Sequence, residues 1–246
     1  MQKLYEEENI RAIANAIRSK NGTEETYKPS EMASAIEEIK GSDDWIDRSI
    51  TTVASSVEAV GDYALAKCAV LTSADFPSAQ SVGTYAFYGC DKLATINFPL
   101  IKSIGSMAFG YCYEFKNVVF PNVESIGDSV FVGCKELVKA DLPKVKSIGN
   151  YGFRYNYSLK ALILRSTTLC TLAATTAFQN CYHIYGTVDS QYNPSGLRDG
   201  YIYVPSALVS AYKANSVWAS FASQIRALEN YTVDGTLTGE LDETKV

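Results

Sequence analysis

The chain has 246 residues, 47% of them hydrophobic and 20% charged, a balance ordinary for a folded chain with ample material for a core. Its net charge of −5 carries no block of Lys or Arg, which excludes the electrostatic footprint that binding to nucleic acid requires. No apolar run reaches the length of a membrane span, and the polar start MQKLYEEENI lacks the apolar stretch of a secretory signal, so neither membrane insertion nor export by the general route is expected.

Residues 1–41 follow a helical period. Ile10, Ile13, Ala14 and Ile17, and later Met32, Ala35, Ile36 and Ile39, recur at i, i+3, i+4 and i+7. The pattern predicts two amphipathic helices, the first closed by Asn21 and Gly22 and the second opened by Pro29 and Ser30. Each is short enough to need a partner surface. The pair reads either as an N-terminal cap on the rest of the chain or as an attachment and oligomerisation module, and GSDD at residues 41–44, a linker by composition, favours the second.

From residue 45 to residue 205 one period governs the chain. Gly61, Gly83, Gly105, Gly127 and Gly149 stand 22 residues apart, as do Cys68, Cys90, Cys112 and Cys134, then Pro77, Pro99, Pro121 and Pro143, and an apolar slot holding Leu65, Phe87, Phe109, Phe131 and Phe153. Such self-similarity marks a repeat architecture in which each unit is one coil. Leu93, Ile96 and Phe98 predict a short strand with alternate side chains inward, ended by the proline after it. The glycine reads as the residue that turns the chain. The A-F-x-x-C stretch reads as a helical turn whose Ala, Phe and Cys pack beneath the next coil. About five regular coils with a looser one at each end, stacked at roughly 4.8 Å, then give a right-handed solenoid about 30 Å long.

The last coil departs from the period. Cys181 and Pro205 are 24 residues apart, against 9 between Cys90 and Pro99, so 15 residues are inserted. This insert, at about 182–200 and rich in Tyr, Gly, Asn and Asp, reads as a projecting loop. A helix over residues 206–230, with Leu208, Tyr212, Trp218, Phe221 and Ile225 as its apolar face, is expected to cap the solenoid. Residues 231–246 read as a polar, acidic tail. The expected fold class is thus an α+β repeat solenoid of 22-residue units with an N-terminal helical pair and a C-terminal capping helix.

The pattern S-I-G-x-x-A-F-x-x-C-x-x-L-x-x-I-x-x-P resembles the BspA-like, or treponemal-type, leucine-rich repeats. The match is close over residues 59–165. It is looser in a first coil carrying Ile50 and Val53, and in a last coil carrying Phe178, Cys181, Ile202, Val204 and Pro205. The segment EENIRAIANAIRSKNGTEETYKPSEMASAIEEI also resembles small helical modules at the front of tail-associated proteins of phages infecting gut Firmicutes, and the end of the chain from YIYVPSALVSAYKANSVW onward is similar to endings of repeat proteins from the same phages and their hosts. These resemblances imply a phage tail or fibre protein of the virion, made in the bacterial cytoplasm. Its helical pair would dock to other virion proteins, with a homo-oligomer compatible, and its repeats would meet a host cell-surface glycan or protein. The alternative they imply is a BspA-like adhesin on the bacterial cell surface, or a protein-protein interaction module.

Chemistry is sparse. His183 is the sole histidine and no G-x-S-x-G elbow supplies a serine nucleophile. No C-x-x-C pair suits zinc, no D-x-D-x-D-G run suits calcium, and the repeated glycines have bulky neighbours unlike a phosphate loop. No enzyme activity, metal or cofactor is therefore expected, and the cysteines read as a reduced core ladder whose strand-like spacing exceeds what a disulfide needs. With the apolar slots inward, Tyr88, Tyr111, Tyr113, Tyr155 and Tyr157 fall on solvent beside the cysteines and should form a stripe suited to gripping a partner. In the insert, Tyr182, Tyr185 and Tyr192 beside His183 either extend that surface or only cover the last coil. The competing reading is that the tyrosines merely shield the coil edges. The strand positions Thr95, Asn97, Asn117, Lys139 and Asp141 rank second as a binding face.

Overall fold

The structure is a computed structural model that describes residues 51–188, 194–196 and 198–228. The N-terminal helical pair, Tyr192 and the acidic tail lie outside the described residues. Two sets of short parallel strands run along the molecule. The first comprises β1 (Thr52–Ala54), β3 (Ser73–Asp75) and β5 (Thr95–Asn97), followed by β7 (Asn117–Val119), β9 (Lys139–Leu142), β11 (Ala161–Leu164), β15 (Tyr201–Val204) and β16 (Ile225–Ala227). These form a three-stranded and a five-stranded sheet. The second set is β2 (Ala59–Val60), β4 (Ser81–Val82) and β6 (Ser103–Ile104), then β8 (Ser125–Ile126), β10 (Ser147–Ile148) and β12 (Thr171–Leu172), in two sheets of three.

The register is the period made physical. Ser73 pairs with Thr95, and Asn117 pairs with Lys139, which pairs in turn with Ala161, each one repeat further on. Val53, Ala74, Val118, Ala140 and Leu162 point from the middle of the first strand set into one continuous core. Phe87, Phe109, Phe131, Phe153 and Phe178 are fully buried there and stack ring upon ring at 5.3–5.8 Å between centroids. No single coil could bury such a face alone, so each coil is stable only through its neighbours.

Three expectations are corrected. The repeated glycine does not supply a left-handed turn. A Cβ on Gly105 would sit 2.4 Å from the backbone nitrogen of Thr84, and one on Gly83 would sit 2.5 Å from that of Asp62. Close approach to the preceding coil demands glycine at 83, 105 and 149, whereas a Cβ on Gly127 would meet nothing nearer than 3.6 Å. Nor is the A-F-x-x-C stretch helical, for it is a chain of tight turns with residues of positive φ at both ends, such as Tyr85 (57°) and Gly89 (68°). The alternation lines up successive N–H groups, so that Tyr85, Phe87 and Gly89 donate to the carbonyls of Ser106, Ala108 and Gly110 in the next coil. A third hydrogen-bonded ladder therefore runs along this edge.

The third correction concerns the C-terminal segment, which is no single helix. A 3-10 turn at Ser206–Leu208 leads into α1 (Val209–Ala214), the chain extends at Asn215, and a second 3-10 turn comes at Trp218–Phe221. Asn215 breaks the helix because its Oδ1 accepts the backbone N–H groups of Val217 and Trp218. Ile225, expected on the helix face, instead opens β16 and pairs with Ile202. The described chain is accordingly mostly sheet with little helix. The insert holds a small antiparallel hairpin of β13 (Thr187–Val188) and β14 (Pro194–Ser195).

Candidate binding surface

The edge that carries the third ladder is also where the tyrosines gather. Tyr88 meets Tyr111 edge-to-face at 5.4 Å, Tyr111 meets Tyr113 at 6.2 Å, and Tyr155 meets Tyr157 at 6.3 Å. Tyr182 from the insert stacks on Tyr157 at 4.8 Å. Tyr185 does not join them, since its ring lies 6.1 Å from Phe221 and packs against the buried core. Tyr63, Tyr85 and Tyr151, which residue-by-residue inspection around the cysteines passes over, belong to the same edge. Tyr63 stacks on Tyr85 at 5.0 Å, and Tyr85 reaches Tyr88 at 5.2 Å. Their signal was present in the sequence, because residues 63, 85, 107, 129 and 151 share the repeat interval. Only the backbone conformation shows that this slot faces outward.

Backbone geometry makes these residues unusual. Tyr63, Tyr85, Tyr111, Tyr151 and Tyr155 all hold φ between 56° and 63°, a region where residues with a Cβ are disfavoured and glycine is at ease. The repeats themselves use the cheaper residue in alternate coils, since the slot of Tyr111 and Tyr155 is filled by Gly89 and Gly133. There the missing Cβ also makes room, for one on Gly133 would lie 2.7 Å from the Tyr111 ring.

Cations lie among the rings. The Arg154 guanidinium sits 4.9 Å from the Tyr151 ring and 4.4 Å from that of Tyr155, and the Lys135 ammonium is 4.5 Å from Tyr113. Neither makes an ion pair with a described residue. Burial, and secondarily the neighbouring phenols and Asp91, push the hydroxyls of Tyr88, Tyr113 and Tyr157 up from the ordinary tyrosine value. The second-ranked strand face is less open than expected at Asp141, which is 3% exposed and held by both Nε and Nη2 of Arg165.

The remaining candidates of the sequence are structural in their contacts. Cys90, Cys112, Cys134 and Cys181 are free thiols that donate to carbonyls of the preceding coil, those of Leu65, Phe87, Phe109 and Phe153. Burial pushes the Cys134 thiol up to about 12, which suppresses the thiolate and its reactivity. In the one regular coil without a cysteine, Asn156 takes the slot and its Nδ2 donates to Phe131 at 2.7 Å. His183 Nδ1 meets the Asp199 carboxylate. Among the described residues no group of three or more His, Cys, Asp or Glu side chains is arranged to hold a metal, and no helix is long and apolar enough to cross a membrane.

Stacked coils of parallel strands around one continuous apolar core define a repeat solenoid. The chain belongs to the family described as BspA type leucine rich repeat region, which matches residues 58–185 in six copies. Among solved structures it is similar to a leucine rich repeat protein of T. pallidum, with 28% identity, coverage of 69% of this chain and 80% of that one, and a TM-score of 0.51. A leucine-rich repeat protein from Eubacterium ventriosum is similar at 23% identity, covering 63% of this chain and 41% of that one with a TM-score of 0.46. No curated protein matches the chain.

Proposed function

We propose that this chain is a non-enzymatic binding module and that its tyrosine edge is the surface that meets the partner. One observation carries the reading: Tyr111 and Tyr155 occupy left-handed backbone positions that alternate coils fill with Gly89 and Gly133. The fold does not require a ring there, and tyrosine offers a stiff, amphipathic contact area at low entropic cost. Membership in the BspA-type family supports an interaction module on a bacterial surface. The resemblance of residues 1–41 to the front modules of phage tail proteins supports a virion setting, in which those residues dock to the particle and the edge faces the host cell.

The edge is tested by replacing Tyr111, Tyr113, Tyr155 and Tyr157 together with Ser in the full chain. Lost retention on cell-wall material from gut Firmicutes, at a nearly unchanged melting temperature, is the expected result. A collapsed melting temperature, or retention in full, would move the surface to the strand face of Thr95, Asn97 and Asn117. Mass spectrometry separates the settings, since peptides of this chain in purified phage particles support the virion and peptides in washed bacterial envelopes support the adhesin.

A further inference from the structure

Resting on the reading of the tyrosine edge as a recognition surface, we propose that its ligand is an acidic linear polysaccharide lying along the solenoid, about one sugar ring to a coil. Spacing is the first argument. Equivalent rings one coil apart are separated by 5.0 Å at Tyr63 and Tyr85 and by 4.8 Å at Tyr157 and Tyr182. This is close to the length of one pyranose in an extended glycan, so one ring of such a polymer falls at each coil. An extended peptide advances about 3.3 Å per residue, so its residues drift out of step within a few coils.

Orientation is the second argument. Tyr63 and Tyr85 are within 5° of parallel and Tyr157 and Tyr182 within 17°. Each stacked pair uses a face of both its rings, which leaves edges and hydroxyls to the ligand. A phenol hydroxyl both donates and accepts, as sugar hydroxyls do. Charge is the third. Arg154 is clamped between Tyr151 and Tyr155, its Nε is buried without a hydrogen-bond partner, and it has no carboxylate partner among the described residues. A guanidinium fixed in this way keeps its fork oriented for a carboxylate. Lys135, in the coil before but at a different position of its repeat, lies over the single ring of Tyr113. Asp91 and Glu136 stand on the same stretches of chain, so attraction to any polyanion is weak, and binding depends on placing acid groups at the two cations while hydroxyls meet the phenols.

The test measures binding of the full chain by calorimetry to polygalacturonate, to its fully methyl-esterified form, and to poly-L-glutamate. Polygalacturonate should bind at least tenfold tighter than either control. Arg154→Gln should remove most of that difference, and Lys135→Gln, on a more exposed side chain that the fold does not depend on, should weaken binding several-fold. Tyr111→Gly with Tyr155→Gly should abolish binding without lowering the melting temperature, since glycine suits both backbones. Equal binding of the methyl ester, lost in the tyrosine variant, would overturn the acidic assignment while keeping the edge as the recognition surface. Equal binding of polyglutamate, or no binding of any polymer, would overturn the polysaccharide assignment, and retention on cell-wall material would then report separately on the edge. Polygalacturonate binding unchanged in all three variants would overturn both.

Discussion

From Gly61 to Leu164 the core is built by repetition, whereas from Arg165 to Leu228 repetition gives way to residues used once. In the first region a phenylalanine rests on its own equivalent from the next coil and a cysteine thiol reaches back to the coil before. In the second the pairing interval slips. Ser147 pairs with Thr171, two residues late, and Ala161 pairs with Tyr201 across the insert. The phenylalanine and thiol rows reach one rung further, to Phe178 and Cys181, and beyond them large side chains used once fill the space. Tyr212, Trp218 and Phe221 are buried, Trp218 Nε1 donates to the Cys170 carbonyl at 2.7 Å, and the Tyr212 hydroxyl accepts from the Cys170 N–H at 2.8 Å. A ladder spreads the loss of one rung over its neighbours, while a singular contact has no substitute.

Trp218→Ala should therefore be the most damaging substitution, costing about 3–5 kcal/mol for the ring and about 1–3 kcal/mol more for the buried Cys170 carbonyl left unpaired. Calorimetry should show the coils after Arg165 melting first. A single transition that moves as a whole would show that the two regions share one cooperative unit. Phe109→Ala, in the middle of the ladder, should cost about 3–5 kcal/mol. Because coils support only their neighbours, it should divide the unfolding into two steps, and an unchanged melting curve would mean that this slot does not carry the stack.

Smaller effects sharpen the comparison within the thiol row. Cys112→Ser should destabilise by about 1–3 kcal/mol, since a more polar hydroxyl is buried where a thiol sat comfortably. Asn156→Cys should act in the opposite sense. The Oδ1 of Asn156 is buried without a partner, and restoring the thiol removes an orphaned acceptor, for a gain of about 1 kcal/mol. Denaturation of the two variants side by side checks both signs.

The smallest effect is electrostatic. His183 hydrogen-bonds the Asp199 carboxylate and holds it below the ordinary aspartate value. A depressed carboxylate contributes stability that is present above its unfolded value and lost as pH falls through the folded one. Asp199 is 54% exposed, so solvent screening keeps this contribution to a few tenths of a kcal/mol at most. Comparing Asp199→Asn with the parent chain, the stability difference should be present at neutral pH and vanish in acid.

The difference between the regions also explains what was legible in the sequence. Residues that stack on their own equivalents experience the same environment in every coil, so the chain writes the same residue type at a fixed interval. Gly, Cys, Phe and Pro all carried that record, and the solenoid, its core slots and most of the tyrosine edge could be read from it. The function of a slot was less legible than its existence. Glycine at 83 and 105 reads as a turn until the preceding backbone is seen to be in the way, and the left-handed positions of Tyr63, Tyr85 and Tyr151 have no sequence marker beyond their interval.

Composition and periodicity alone thus determined a repeat solenoid, its register over the regular coils, the burial of its cysteines and phenylalanines, and the line along which tyrosines would fall. Tertiary structure decided that the edge is a third hydrogen-bonded ladder, that Tyr185 turns inward, that Asp141 is paired and buried, and that the expected capping helix breaks and ends as a strand. The physical reason is the range of the contacts. Ladder contacts recur at one fixed separation and leave a periodic trace, whereas Cys170 finds Tyr212 and Trp218 at separations of 42 and 48 residues, each used once, and a contact used once leaves no pattern to read.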